Sequence, residues 1–352
     1  MPATSRPPAT TALLVDLFGA GPFSQADALA AGVSRGRLRA ALDAGHLVRV
    51  RHGVLAPAGV SRALADPVDR HVFEARALVA ALRARRSGLG DSAALSHSTA
   101  VAVAGMPYPG LRTPRHWPVH LSDDAPGGRQ ATGWLRHECS VPREHRTVVA
   151  GLPVTTVPRT AVDVAAALPL LRALPVVDAA MRRLCLGTAR VEPGSVAGRL
   201  LVLDPRVVGA AREQLRTTLD EAGVSRGRRR AIQALEVADP AAENGFESVS
   251  RAHVLRAGLP RPEVGYPVLG ADGRRYWADL AWPDLRVLGE ADGHGKYADI
   301  AALHAEKDRQ ESLERAGWRV VRWTWSELDR TPHLVSARVA AALERAGARA
   351  AA

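Results

Sequence analysis

The last third of the chain changes hydrophobic period in a fixed order, and that order limits its fold more tightly than any other feature of the sequence. A helical spacing of apolar residues over 243–257 gives way to strand-like patterns over 263–269, 274–281 and 285–291. A second helical stretch covers 300–316, followed by a strand over 319–325 and a closing helix over 334–345. Ala271-Asp272-Gly273 and Pro283-Asp284 supply the turns between strands. This α-β-β-β-α-β order predicts a separate α/β domain over 237–352, beginning near the Asp239-Pro240 break.

Two consecutive strands of that domain end in acids. Asp279 closes one, while Glu290 and Asp292 close the next. Strand side chains alternate, so Glu290 and Asp292 leave the same face roughly 6–7 Å apart. If the strands pair as a hairpin, Asp279 becomes a cross-strand neighbour of Glu290, and like charges so placed repel unless a cation neutralises them. Oxygen-only ligands suit Mg²⁺ or Mn²⁺, which hold a scissile phosphate and lower the pKa of an attacking water. Asp279, Glu290 and Asp292 are therefore the expected metal ligands.

The chain has 47 Lys+Arg, of which only Lys296 and Lys307 are lysines, and both lie just beyond this cluster. Lys307 recurs with Leu303, Gln310 and Leu313 at helical spacing, so it is expected to face the sheet and stabilise a phosphate; Lys296 is the alternative. Glu247, one helix earlier, is expected either to join the acids as a ligand or water orienter, or to form an exposed pair with Arg251.

Residues 1–60 read differently. An apolar helix over 11–18 precedes a helix capped by Ser24, the turn Ala31-Gly32-Val33, and a third helix capped by Ser34 that carries Arg35, Arg37 and Arg39. Val48 and Val50 then alternate with Arg49 and Arg51 before the Gly53 turn, the pattern of a two-stranded ribbon with a basic face. Helix, helix, turn, basic helix and basic ribbon spell a winged helix-turn-helix. Residues 61–236 mix helical stretches, such as 70–86 and 161–184, with strand-like pieces such as 117–121. Ser96-His97 reads there as a capped helix start with a buried histidine.

The formal charge of +11 lies outside the C-terminal domain. Residues 241–352 carry 16 basic and 16 acidic side chains, which leaves 31 against 20 in residues 1–240. Excess positive charge there favours a polyanionic partner, DNA. Cys139 and Cys185 are the only cysteines and have no ligand-type spacing, which speaks against a disulfide framework and structural zinc. No apolar run approaches the roughly 18 residues of a membrane span, and the first residues lack the pattern of a signal peptide. A cytoplasmic protein without membrane contact is expected.

The words Phe246-Glu247-Ser248, Ala257-Gly258-Leu259-Pro260, Ala278-Asp279-Leu280-Ala281-Trp282-Pro283, Glu290-Ala291-Asp292-Gly293, Glu306-Lys307-Asp308-Arg309 and Gly317-Trp318-Arg319-Val320 resemble the Vsr-like branch of the PD-(D/E)XK nucleases. The resemblance implies a restriction-endonuclease-like fold, with Asp279 and Glu290 as motif acids and Glu247 as the helical acid. Asp292 stands where the general pattern has Lys, so Lys296 or Lys307 would have to substitute.

The N-terminal unit, through Phe23-Ser24, Ala31-Gly32-Val33-Ser34, Arg37-Leu38 and Gly45-His46-Leu47-Val48-Arg49-Val50-Arg51-His52-Gly53-Val54, resembles the winged helix of AbiEi-type antitoxins. Leu95-Ser96-His97-Ser98-Thr99-Ala100 and Gly151-Leu152-Pro153-Val154-Thr155-Thr156 resemble that group's linking region. This implies a repressor in a toxin–antitoxin or phage-defence setting, with a toxin encoded nearby. Two functions follow: an endonuclease guided to DNA by the winged helix, or a regulator whose C-terminal domain is non-catalytic. In either, Arg35, Arg37 and Arg39 would face the major groove and Arg49 and Arg51 the phosphates.

Overall fold

The structure, a computed structural model, describes residues 9–85, 89–107, 117–131, 133–187, 191–292 and 300–350. The chain divides into two compact units, Met1–Gly105 with Arg112–Thr160, and Met106–Leu111 with Ala161–Ala352. The division falls within the stretch 61–236 that the sequence left as one linking region.

The first unit opens with α1 (Ala9–Phe18), β1 (Phe23–Ser24), α2 (Gln25–Ala30), α3 (Arg35–Asp43), β2 (Leu47–Arg51) and β3 (Val54–Pro57), the elements of a winged helix-turn-helix. Both expected caps form: the Ser24 hydroxyl accepts from Asp27 N–H at 2.9 Å and that of Ser34 from Arg37 N–H at 3.3 Å. Leu14, Phe23, Val33, Leu38, Leu47 and Leu55 meet in one core.

The wing departs from the expected two-stranded ribbon, because Phe23 and Ser24 of β1 pair with Leu55 and Val54 to make a third strand. Arg49 pairs with Leu55 and Arg51 with Val54, so Val50 is an extra residue in a bulge. The bulge breaks the predicted alternation. Leu47 is the buried residue of β2, whereas β3 is buried throughout.

Next come α4 (Ala58–Ala63), α5 (Pro67–Arg83), β4 (Ala94–Leu95), α6 (His97–Val103), β5 (Val119–Asp123), β6 (Arg129–Ala131), β7 (Trp134–Glu138), β8 (Arg146–Val149) and β9 (Leu152–Thr155). Six strands form one mixed sheet in the order β6-β7-β5-β4-β9-β8. Val119 and Leu121 of β5, with Leu95, Leu152 and Val154, pack against Ala75, Leu78 and Val79 of α5. Residues 120 and 122 therefore point to the other face of β5.

Helix α7 (Val157–Ala167) leads into the second unit, followed by α8 (Leu170–Gly187), α9 (Val196–Leu201), α10 (Pro205–Glu221), α11 (Arg228–Val237) and α12 (Gly245–Arg256). The single helix predicted over 161–184 is two, because Pro169 cannot continue the helical hydrogen-bond ladder and disfavours helical geometry in the residue before it. Then follow β10 (Glu263–Leu269), β11 (Arg275–Trp282), β12 (Val287–Asp292), α13 (Ile300–Arg315), β13 (Arg319–Thr324), α14 (Trp325–Arg330) and α15 (Pro332–Ala350).

The order α12-β10-β11-β12-α13-β13 is the one the sequence predicts. Strands β10, β11 and β12 are antiparallel neighbours, and β13 joins β12 in parallel. Every residue of β12 but its last is buried, because helices contact the sheet on both faces. Among the described residues, no helix is long and apolar enough to cross a membrane.

Candidate functional site

Two groups of residues carry the chemistry expected of this chain, one in each unit. In the winged helix, Leu38 and Ala41 bury the inner face of α3, while Arg35, Arg37 and Arg39 are exposed. A helix turns about 100° per residue, so Arg35 and Arg39 lie about 40° apart on one edge of the free face, and Arg37 lies on the opposite edge. Their charges thus flank the face rather than fill one stripe. Arg39 approaches Asp43 at 3.9 Å across a solvated gap, a contact that contributes little. Arg49 is exposed on the wing and Arg51 is half-buried beside the bulge.

In the second unit Leu280 pairs with Gly289, which brings Asp279 beside Glu290 one step along the ladder. The proximity is direct: Asp279 Oδ2 accepts from Ala291 N–H at 2.7 Å. Burial, reinforced by repulsion from Asp279, pushes the Glu290 carboxyl up to about 7. Opposing this, Arg309 Nη2 donates to Glu290 Oε1 at 2.8 Å and to Trp277 O at 3.1 Å. Arg322 sits opposite Glu290 on β13 and bonds Glu306, which also holds Arg309 at 3.3 Å. Burial alone would lower the Arg309 pKa, but Glu290 and Glu306 hold it above its ordinary value.

Several expectations for this site need correction. Lys307 is exposed, not turned to the sheet. From the buried Leu313, six residues of helix rotate Lys307 about 120° away, whereas four rotate Arg309 only about 40°. Arg309 therefore takes the place assigned to Lys307. Lys296 lies outside the described residues.

Glu247 does not join the acids either. It is the third residue of α12, and its carboxylate accepts from Glu243 N–H at 2.6 Å and from Asn244 Nδ2 at 2.5 Å, closing the helix start that Asn244 caps. Nor do Glu247 and Arg251 form the alternative exposed pair: both side chains are buried, and Arg251 binds both oxygens of Asp178, at 2.8 and 2.7 Å. Asp292 is half-buried at the end of β12. Among the described residues, no three of Asp279, Glu290, Asp292 and Glu247 bring ligand atoms within 4.8 Å of one another; the group that does so is His97, His120 and His137.

Residues 13–65, which span the winged helix, match the family described as "Transcriptional regulator, AbiEi antitoxin". Over 317 residues the chain is 30% identical to Uncharacterized protein Rv2248 of Mycobacterium tuberculosis strain ATCC 25618 / H37Rv, covering 89% of this chain and 98% of that protein. Uncharacterized protein MT2308 of strain CDC 1551 / Oshkosh matches with the same identity and coverage. This chain belongs to their family. The matched length exceeds that of either unit, so the family has both in one chain.

Sequence reasoning missed Arg309 and Arg322 in the carboxylate cluster, and His120 and His137 in the first unit. A helical wheel phased on Leu313 alone would have found Arg309. For the histidines no spacing in the chain carried a signal, because the sheet order that joins β5 to β7 is a tertiary property.

Proposed function

We infer that this chain is a DNA-binding transcriptional repressor of the AbiEi-antitoxin kind, acting in the cytoplasm, with α3 as its recognition helix and the β2–β3 wing on phosphates. The observation that carries this reading is the coincidence of the family match at 13–65 with a capped, fully cored winged helix whose free face is flanked by Arg35, Arg37 and Arg39. Base edges in the major groove accept from guanidinium groups, and the wing arginines neutralise phosphate. The partner such a regulator accompanies is a toxin encoded nearby.

A gel-shift titration against DNA from the chain's own promoter tests it. Binding should weaken steeply with salt, and the triple change Arg35→Glu, Arg37→Glu, Arg39→Glu should abolish it with the fold intact by circular dichroism. Equal binding by that variant would overturn the assignment of α3.

A second reading, a Mg²⁺- or Mn²⁺-dependent endonuclease, draws on the adjacent carboxyls of Asp279 and Glu290 and on the resemblance of the C-terminal domain to Vsr-like nucleases. Against it, Arg309 already supplies the counter-charge that a metal ion would bring to Glu290. Nicking of supercoiled plasmid that disappears in Asp279→Ala and Glu290→Ala would favour this reading. Promoter binding without nicking favours the repressor.

A further inference from the structure

We propose that His97, His120 and His137 form a binding site for a divalent late transition-metal ion, Zn²⁺ foremost. The three come from separate elements of the first unit: His97 opens α6, His120 lies in β5 and His137 in β7. The parallel register sets His120 opposite Leu135 and Ser122 opposite His137, so both histidines stand on the sheet face opposite Val119 and Leu121. One candidate ligand atom from each ring lies within 4.8 Å of the other two. Tetrahedral zinc with imidazole at about 2.0–2.1 Å needs nitrogens roughly 3.3 Å apart, so closure takes ring movements of about 1 Å.

The surroundings are built for imidazole nitrogen as a ligand. His97 holds a left-handed backbone, φ 50°, which costs a non-glycine residue energy and fixes where its ring points. Its Nδ1 bonds the Ser96 hydroxyl at 3.0 Å, and Ser122 donates to that same hydroxyl at 2.7 Å. When Nδ1 carries the ring proton and donates it to this hydroxyl, Nε2 holds the lone pair that binds a metal. His120 Nδ1 and His137 Nε2 are 2.9 Å apart, and the His97 and His137 rings stack at 3.9 Å between centroids.

Among the described residues, the charged and titratable groups acting on the His97 and His120 rings are the histidines themselves, Arg159 and His71. Among the described residues the ligand set is three imidazoles, so the site selects an ion that favours nitrogen, Zn²⁺, Ni²⁺ or Cu²⁺, over Mg²⁺. Three neutral imidazoles leave a fourth position on a tetrahedral ion for water or an anion.

The test uses the full chain without a histidine tag. Equilibrium dialysis against Zn²⁺ with metal analysis should give one ion per chain, Co²⁺ should develop the absorption of a tetrahedral nitrogen site, and Zn²⁺ but not Mg²⁺ should raise the melting temperature. His137→Gln and His120→Asn should each weaken binding at least tenfold. Should either variant fail to fold, the Co²⁺ spectrum and the Zn²⁺-dependent melting shift of the unaltered chain still decide. Asp279→Ala with Glu290→Ala should bind the ion as before. Binding lost in that double variant, binding unchanged in the folded histidine variants, or no ion taken up by the unaltered chain would each overturn the proposal.

Discussion

At Glu290 two effects oppose each other within one side chain: burial and the neighbouring Asp279 favour the neutral acid, while Arg309 favours the carboxylate. The net shift is upward, to about 7. A carboxyl whose folded pKa is raised adds stability that is complete below the unfolded value of 4.5 and is lost as pH rises through the folded value. In metal-free buffer, denaturant unfolding of Glu290→Gln should therefore gain on the unaltered chain between pH 5 and pH 8, by on the order of 3 kcal/mol. Parallel pH profiles for the two would refute the upward shift. Arg251 presents the opposite case. Its guanidinium and Asp178 are buried together, so Arg251→Ala strands a carboxylate away from water and should cost about 3–5 kcal/mol, measured by urea unfolding. Replacing both partners by apolar residues should cost much less.

Among the elements, β12 is the one on which the second unit depends. Helices contact its sheet on both faces, and Gly289 allows Trp323 of β13 to lie directly against its backbone. A Cβ at that position would stand 2.7 Å from Trp323 Cη2 and 3.3 Å from Leu280 Cβ. Gly289→Ala should thus destabilise the unit by about 1–3 kcal/mol, read from thermal unfolding, and should weaken the Trp323 Nε1 bond to Ser250, which is 2.8 Å in length. The wing shows how an element can mislead a pattern: Leu-Val-Arg-Val-Arg alternates in sequence, yet the bulge at Val50 shifts the register. The Arg49 side chain still reaches solvent. Arg49→Ala should lower the slope of log affinity for promoter DNA against log salt by about one, with little change in sequence preference.

For the whole molecule, the uneven charge of the sequence and the two units agree in direction: the basic excess lies before residue 241, and the domain beyond it is balanced. Much of the architecture was legible in the chain itself. Caps at Ser24 and Ser34, the order α-β-β-β-α-β and the adjacency of Asp279 and Glu290 all follow from local periodicity and turn chemistry, which depend on neighbours a few residues away. What the sequence could not decide depends on distant partners. Whether Lys307 or Arg309 faces Glu290 is set by the rotational phase of α13 against the sheet. Whether Arg251 meets Asp178 is set by the packing of α12 on α8, whereas Glu247 is a local case that the sequence reading missed, since Asn244 and Glu243, which hold its carboxylate, lie only three and four residues before it. The three histidines meet because β5 and β7 are parallel neighbours beside the start of α6. Residues 17 and 23 positions apart come together only through that sheet order, since hydrophobic period fixes which face a side chain takes but not which strand lies next to it.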